Sequence, residues 1–189
     1  MAGSQLRNGR MQSFVGCVPT HPDHISAFFE LAPLSLSDLV YDLGSGDGRL
    51  VFAALDYGAG KAVGVELDPE YVRKARRKAR SRGLDDRAAF VQADVVDVDL
   101  ADASVVFCYL SPQACTALKP KLESELRIGA RVVMESFPVP GWKIAGIAVR
   151  GYPDYYEVNK FYLYVMPVPD NEGTSRDGKV KSRQKTNGL

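Results

Sequence analysis

Short unbroken apolar runs alternate along the chain with segments whose apolar residues recur at helical spacing. The runs "LVYDL", "AVGVE", "AAFVQ", "SVVFCYL" and "ARVVMESF" read as strands. Between them, "GRLVFAALDYG", "DPEYVRKARRKARSRG" and "SPQACTALKPKLESEL" read as helices, the last interrupted by Pro120. Upstream, "VPTHPDHISAFFELA" reads as a helix start. Thr20 is its N-cap, Asp23 closes a capping box, Pro22 lies in the first turn, and Ile25, Phe28, Phe29 and Leu31 form the apolar stripe. The end, "IAVRGYPDYYEVNKFYLYVMP", alternates like an antiparallel hairpin. Continuous apolar strands separated by helices are buried on both faces of a parallel sheet. The predicted fold is α/β: a doubly wound, mostly parallel seven-stranded sheet with an antiparallel C-terminal hairpin.

A chain of 189 residues has room for one well-buried domain. The expected layout is a flexible N-terminus at 1–13, a domain at 14–168, and a disordered basic tail at 169–189. No apolar run is long enough to span a bilayer. The first 22 residues carry no acid and two arginines, Arg7 and Arg10, which faintly suggests a mitochondrial presequence but lacks its amphipathic pattern. Cys17, Cys108 and Cys115 form no CxxC, which suggests a reducing compartment with neither a disulfide framework nor zinc. A cytoplasmic, monomeric protein is expected, with mitochondrial import left open. The net charge of +1 hides an asymmetry, since residues 171–189 hold five basic and two acidic residues. His21 and His24 are read as helix-surface residues, and no metal site is expected.

Candidate chemistry gathers at "DLGSGDGR". Its glycines, Gly44, Gly46 and Gly48, follow a GxGxG spacing rather than the GxGxxG of dinucleotide binders. They permit close backbone approach, and the next helix offers free amides. Asp42 ends the strand before the loop, where a carboxylate repels a pyrophosphate and suits an ammonium group. Glu66 and Asp94 end the next two strands. Glu66 can accept from two ribose hydroxyls and Asp94 from an adenine amino group. An amino acid end, a ribose and an adenine together describe S-adenosylmethionine.

On "DLGSGDGR", "VGVELD" and "QADV" the chain resembles the class I, seven-strand S-adenosylmethionine-dependent methyltransferases, with their Rossmann-like fold. Over about residues 14–167 the segments "FVGCVPTHPDHISAFFELA", "YLSPQACTALKPKLESELRIGARVV" and "FYLYV" resemble the small archaeal and bacterial protein lysine methyltransferases. Their mitochondrial relatives modify lysines of energy-metabolism proteins, including an ATP synthase subunit. The resemblance implies a protein-lysine N-methyltransferase that leaves S-adenosyl-L-homocysteine as product. It also implies that Asp42, Leu43, Gly44, Ser45, Gly46 and Gly48 surround the methionine end. Glu66 with Leu67 would hold the ribose, and Asp94 with Val95 the adenine. Thr20 and the arm before it would close over the cofactor. Tyr109, Leu110 and Ser111 would stand where the methyl group is presented.

For the reaction itself, Tyr109, Phe137 and Trp142 are candidates for an aromatic slot that desolvates the amine, with the Tyr109 hydroxyl orienting it. Glu135 is the candidate base, and a buried strand cap is its equal alternative. "CYLS" replaces the NPPY tetrapeptide of many amide and base-amine methyltransferases, which argues against those substrates. The helix at 71–83 carries seven basic residues outward, a solvated face or, alternatively, a phosphate contact in an RNA methyltransferase. Asp94, Asp97, Asp99 and Asp102 near the cofactor edge would suit a lysine-bearing partner. The rivals are an RNA or small-molecule methyltransferase and, from another class, a non-catalytic cofactor-binding subunit.

Overall fold

A computed structural model describes residues 5–7, 10–12, 19–152 and 155–167. Its main sheet has the seven expected strands. They are β3 (Leu39–Leu43), β4 (Lys61–Glu66), β5 (Ala88–Gln92), β6 (Val105–Cys108), β7 (Arg131–Glu135), β8 (Gly146–Tyr152) and β9 (Tyr155–Val165). The order across the sheet is β5-β4-β3-β6-β7-β9-β8, parallel through β7, with β9 antiparallel to its neighbours β7 and β8. The chain winds outward from β3 to β5, then crosses back to β6. The loop after β3 therefore sits at the switch point, where open α/β sheets bind ligands. Two earlier strands, β1 (Gln5–Arg7) and β2 (Arg10–Gln12), pair antiparallel within the segment expected to be flexible. Cys17 and the basic tail lie outside the described residues.

Side chains alternate across the central strands. On β6, Val105 and Phe107 join one core with α1 (Ile25–Leu31), α2 (Arg49–Asp56) and α3 (Pro69–Ser81). Val106 and Cys108 join the other core with α4 (Pro112–Glu125). All four are buried, which is why the strand reads as an unbroken apolar run. The same alternation puts Asp42 beside Val40, and Glu135 beside Val133, on the α1 side of the sheet. Among the described residues, no helix is long and apolar enough to cross a membrane.

Two local expectations change. The cap ahead of α1 is His21, whose ring accepts from the Asp23 amide at 3.3 Å, and a 3-10 turn at Pro22–His24 precedes the helix. Thr20 is not the cap because its hydroxyl is engaged elsewhere. Pro120 does not interrupt its helix: α4 runs through it. An interior proline costs about 3 kcal/mol, and the buried face of Cys115, Leu118 and Leu122 offsets it.

Candidate active site

The site forms at the carboxyl ends of β3, β4, β6 and β7. After Leu43 the chain turns through Gly44, Gly46 and Gly48, with φ of 87°, 50° and 77°. A Cβ on Gly44 would lie 3.1 Å from Leu110 Cδ2, so the segment after β6 presses directly against this loop. A Cβ on Gly48 would stand 2.6 Å from the Phe90 ring, so core packing also excludes a side chain there. The Gly44 and Ser45 amides both donate to the Val65 carbonyl, at 2.9 and 3.0 Å, which ties the loop to β4.

Glu66 is held from three directions. Its Oε2 accepts from the Gly46 amide at 2.9 Å, and its Oε1 from the Leu67 and Asp68 amides at 2.8 and 2.9 Å. A carboxylate has about four acceptor positions, so Glu66 is fixed and still able to take a ligand's hydroxyls.

Asp42 is different. It is 4% exposed and receives no hydrogen bond among the described residues. Burial pushes its carboxyl up to about 8, and the charges of Glu66, Asp47 and Glu135 push the same way. The Ser45 hydroxyl is likewise buried without a hydrogen-bond partner. A carboxyl so placed is costly to ionise until a cation and donors arrive. An ammonium group and a sulfonium supply both, so the residues present fit S-adenosylmethionine.

The rest of the rim is built from loops. Asp94 Oδ1 accepts from the Val96 amide at 3.2 Å, while the Val95 side chain is buried in the α4-side core. Tyr109 is half-buried, and Ser111 caps α4, its hydroxyl accepting from the Ala114 amide at 3.3 Å. Phe137 is 39% exposed beyond β7.

At the end of β7 the side chains close into a buried group. The Thr20 hydroxyl donates to Glu135 Oε2 at 2.8 Å, and Asn159 Nδ2 donates to Oε1 at 2.7 Å. His24 Nδ1 lies 3.8 Å from Oε1. Burial raises Glu135 to about 7, against the pull of the Thr20 hydrogen bond.

Several of the expected groups have surroundings that their sequence positions did not show. Trp142 is 2% exposed, packs edge-on to Tyr164, and donates from Nε1 to Glu123 at 2.8 Å, which anchors its loop to α4. Glu135 is 1% exposed and each of its oxygens accepts a hydrogen bond, the surroundings expected of the buried strand cap that is its alternative reading. His24 is fully buried rather than on the helix surface. Asp99 and Asp102 stand away from the cofactor edge. By Leu100 the chain has reached Glu125, the last residue of α4, and Ser104 pairs with Leu39 at the start of β3.

Motif and spacing do not mark His24, Asn159 or Arg49 as site residues. The one available signal is phase: His24 falls three and four residues before the buried Ala27 and Phe28.

The sequence profile of the ANTKMT methyltransferase domain matches residues 42–145. A protein-lysine N-methyltransferase of Saccharolobus islandicus (strain REY15A) is 42% identical over 126 residues, covering 66% of this chain and 78% of that protein. The adenine nucleotide translocase lysine N-methyltransferase of Mus musculus is 40% identical over 110 residues, 58% of this chain; the chain spans only 48% of that protein. Among solved structures, an RNA methyltransferase from Salinibacter ruber in complex with S-adenosyl-L-homocysteine superposes with a TM-score of 0.72. It is 34% identical, covering 85% of this chain and 98% of its own.

Proposed function

The chain belongs to the ANTKMT methyltransferase-domain family and is a methyltransferase, and on that premise we propose that it methylates the side-chain amine of protein lysines, using S-adenosylmethionine. The observation that carries the cofactor is Asp42, a buried carboxyl with no donor among the described residues, beside a Glu66 fixed by three amides. The lysine substrate rests on the two relatives at 40% and 42% identity.

S-adenosylmethionine supplies an electrophilic methyl group on a sulfonium. The protein supplies placement and electrostatics. Asp42 takes the ammonium end, with the Ser45 hydroxyl beside it. Glu66 takes the ribose hydroxyls and Leu67 lies against them. Asp94 and Val95 border the adenine. Leu110 and Ser111 shape the wall where Tyr109 meets the incoming amine.

A lysine of ordinary pKa needs about 4–5 kcal/mol to present a neutral amine at pH 7. Tyr109 and Phe137 provide apolar surface that lowers this cost by desolvation, and the Tyr109 hydroxyl aims the nitrogen lone pair. Alignment then removes much of the remaining barrier. No side chain is assigned to remove the proton. Asp94 and Asp97 favour a basic partner segment near the pocket, and the free, buried Cys108 and Cys115 support a reducing compartment, the cytoplasm.

The Salinibacter structure motivates RNA as a second substrate reading. The basic helix lends it less than its sequence suggests, because several of its basic side chains are engaged within the fold. Arg76 donates to the Phe90 carbonyl at 2.9 and 2.6 Å, Arg82 pairs with Asp56 at 2.9 Å, and Arg73 pairs with Glu70. Lys78 lies over the Phe52 ring, 4.8 Å from its centroid. The deciding experiment is labelled methyl transfer into cell lysate, followed by nuclease or protease. Loss of label to protease alone, with methyl-lysine recovered on hydrolysis, supports the proposal. Loss to nuclease alone replaces lysine with RNA.

A further inference from the structure

One buried cluster of titratable side chains has no part in the roles above. His24 sits in the 3-10 turn with its Nε2 3.3 Å from the Gly151 carbonyl of β8. A carbonyl only accepts, so Nε2 carries a hydrogen and Nδ1 is the atom that meets Glu135. Phe161 holds the imidazole edge-on, with ring centroids 5.9 Å apart. Among the described residues, no lysine or arginine forms an ion pair with Glu135; His24 is the basic side chain that faces it.

The carboxylate is held from the other side as well. Ser136 adopts φ 69°, a conformation that costs a non-glycine residue about 1–3 kcal/mol. Its hydroxyl donates to Asn159 Oδ1 at 2.6 Å, and Asn159 donates in turn to Glu135. From Glu135 the connection runs to the Thr20 hydroxyl. The Thr20 carbonyl accepts from Arg49 at 2.8 Å, and the Arg49 guanidinium is gripped by Asp47 inside the glycine loop at 2.8 and 3.0 Å. A continuous path therefore joins the C-terminal hairpin to the loop beside Asp42.

We propose that His24 is a positioning residue for methyl transfer: its imidazole, fixed on the Gly151 carbonyl, sets Glu135 and, through Glu135, Thr20 and Arg49, holds the segment ahead of the first helix against the glycine loop. The inference rests on the S-adenosylmethionine reading. Of the charged groups around Glu135, His24 comes from the turn and Asp42 from β3, with the two carboxyls opposing each other; Arg49 and Asp47 reach it through Thr20. A ligand cation that compensates Asp42 removes that opposition, which couples the path to cofactor binding.

The test is a double-mutant cycle on the full chain, read by calorimetric titration with S-adenosyl-L-homocysteine at pH 7. His24→Gln keeps a donor for the Gly151 carbonyl and removes the ring nitrogen that faces Glu135. It weakens binding about tenfold in the native background, and less than about twofold when combined with Glu135→Gln, because the group that His24 sets in place is then already altered. Equal factors in the two backgrounds, the outcome for mere packing, overturn the proposal, as does an unchanged affinity for His24→Gln alone. Should His24→Gln fail to fold by circular dichroism, Thr20→Val cuts the same path at its far end. It weakens binding several-fold with little change in melting temperature, and unaltered binding there also overturns the proposal. Wild-type protein that binds no S-adenosyl-L-homocysteine would sink the cofactor reading and this inference with it; wild type that binds while the cycle shows no coupling sinks the inference alone.

Discussion

Asp38 and Asp42 stand four residues apart in the sequence, at opposite ends of β3, and both are buried. Their surroundings differ in kind. Asp38 Oδ1 accepts from the Ser104 hydroxyl at 2.8 Å and from Arg131 at 2.6 Å, and its Oδ2 accepts from the Ser35 amide at 2.8 Å and the Ser35 hydroxyl at 3.0 Å. Burial pushes its carboxyl up, yet these bonds outweigh burial and hold it below the ordinary range. Asp42 has burial and three neighbouring acids, with no donor among the described residues, and is pushed up to about 8. The first carboxylate is complete within the folded chain. The second has no donor among the described residues, and this difference is the ground for proposing it as the binding acid.

Substitution tests the contrast most directly. Asp42→Ala lowers affinity for S-adenosylmethionine by about a hundredfold or more, the scale of a lost charge-assisted contact in a dry site. It leaves the melting temperature unchanged or higher, since an uncompensated buried carboxyl is gone. Calorimetry and thermal melts on one preparation check both halves. A large fall in melting temperature would show that Asp42 is structural like Asp38.

Asp38→Ala gives the mirror image. It strands Arg131 and three donors from Ser35 and Ser104 and costs about 2–4 kcal/mol of stability in urea denaturation. Cofactor affinity in the surviving folded protein stays within about threefold. Affinity that falls as steeply as stability would merge the two ends of the strand into one functional unit.

The two aspartates also differ in their response to pH. The folded-state pKa of Asp42 lies above its unfolded value, so the folded chain holds the extra proton between roughly pH 4 and 8. Stability of the ligand-free protein therefore falls as pH rises through that window. A cationic ligand wants the ionised form, so affinity rises with pH, by up to about tenfold per unit, and levels off above pH 8. Asp42→Asn flattens both trends. Asp38, whose pKa is depressed, contributes stability above its unfolded pKa that is lost only in acid, as pH falls through its folded value.

The smallest expected effect lies away from both aspartates. Tyr109→Phe keeps the ring and removes the hydroxyl, so cofactor affinity holds while turnover drops about tenfold or less. Full turnover in this variant would end the amine-orienting role.

Much of the site is legible in the amino-acid order alone. Apolar runs ending in Asp42, Glu66 and Asp94, with glycines after the first, mark strands, loop and ligand class, because strand burial and tight turns constrain residue type locally. The proline in α4 and the cap ahead of α1 depart from expectation because packing overrides local preference. Trp142 and Glu135 cannot be separated by residue type from slot-lining and catalytic groups. An aromatic ring serves core or slot equally well, and a carboxyl at a strand end serves as cap, base or strut.

Local order along the chain sets which groups stand at the ends of the strands, since period-two alternation and turn chemistry act over a few residues. Which of those groups are already satisfied is decided by long-range packing. Asp38 meets Arg131 across 93 positions, and Glu135 meets Thr20 across 115. Such partners are chosen by sheet register and helix packing, so the charge state of a buried carboxyl is settled only once the chain has closed around it.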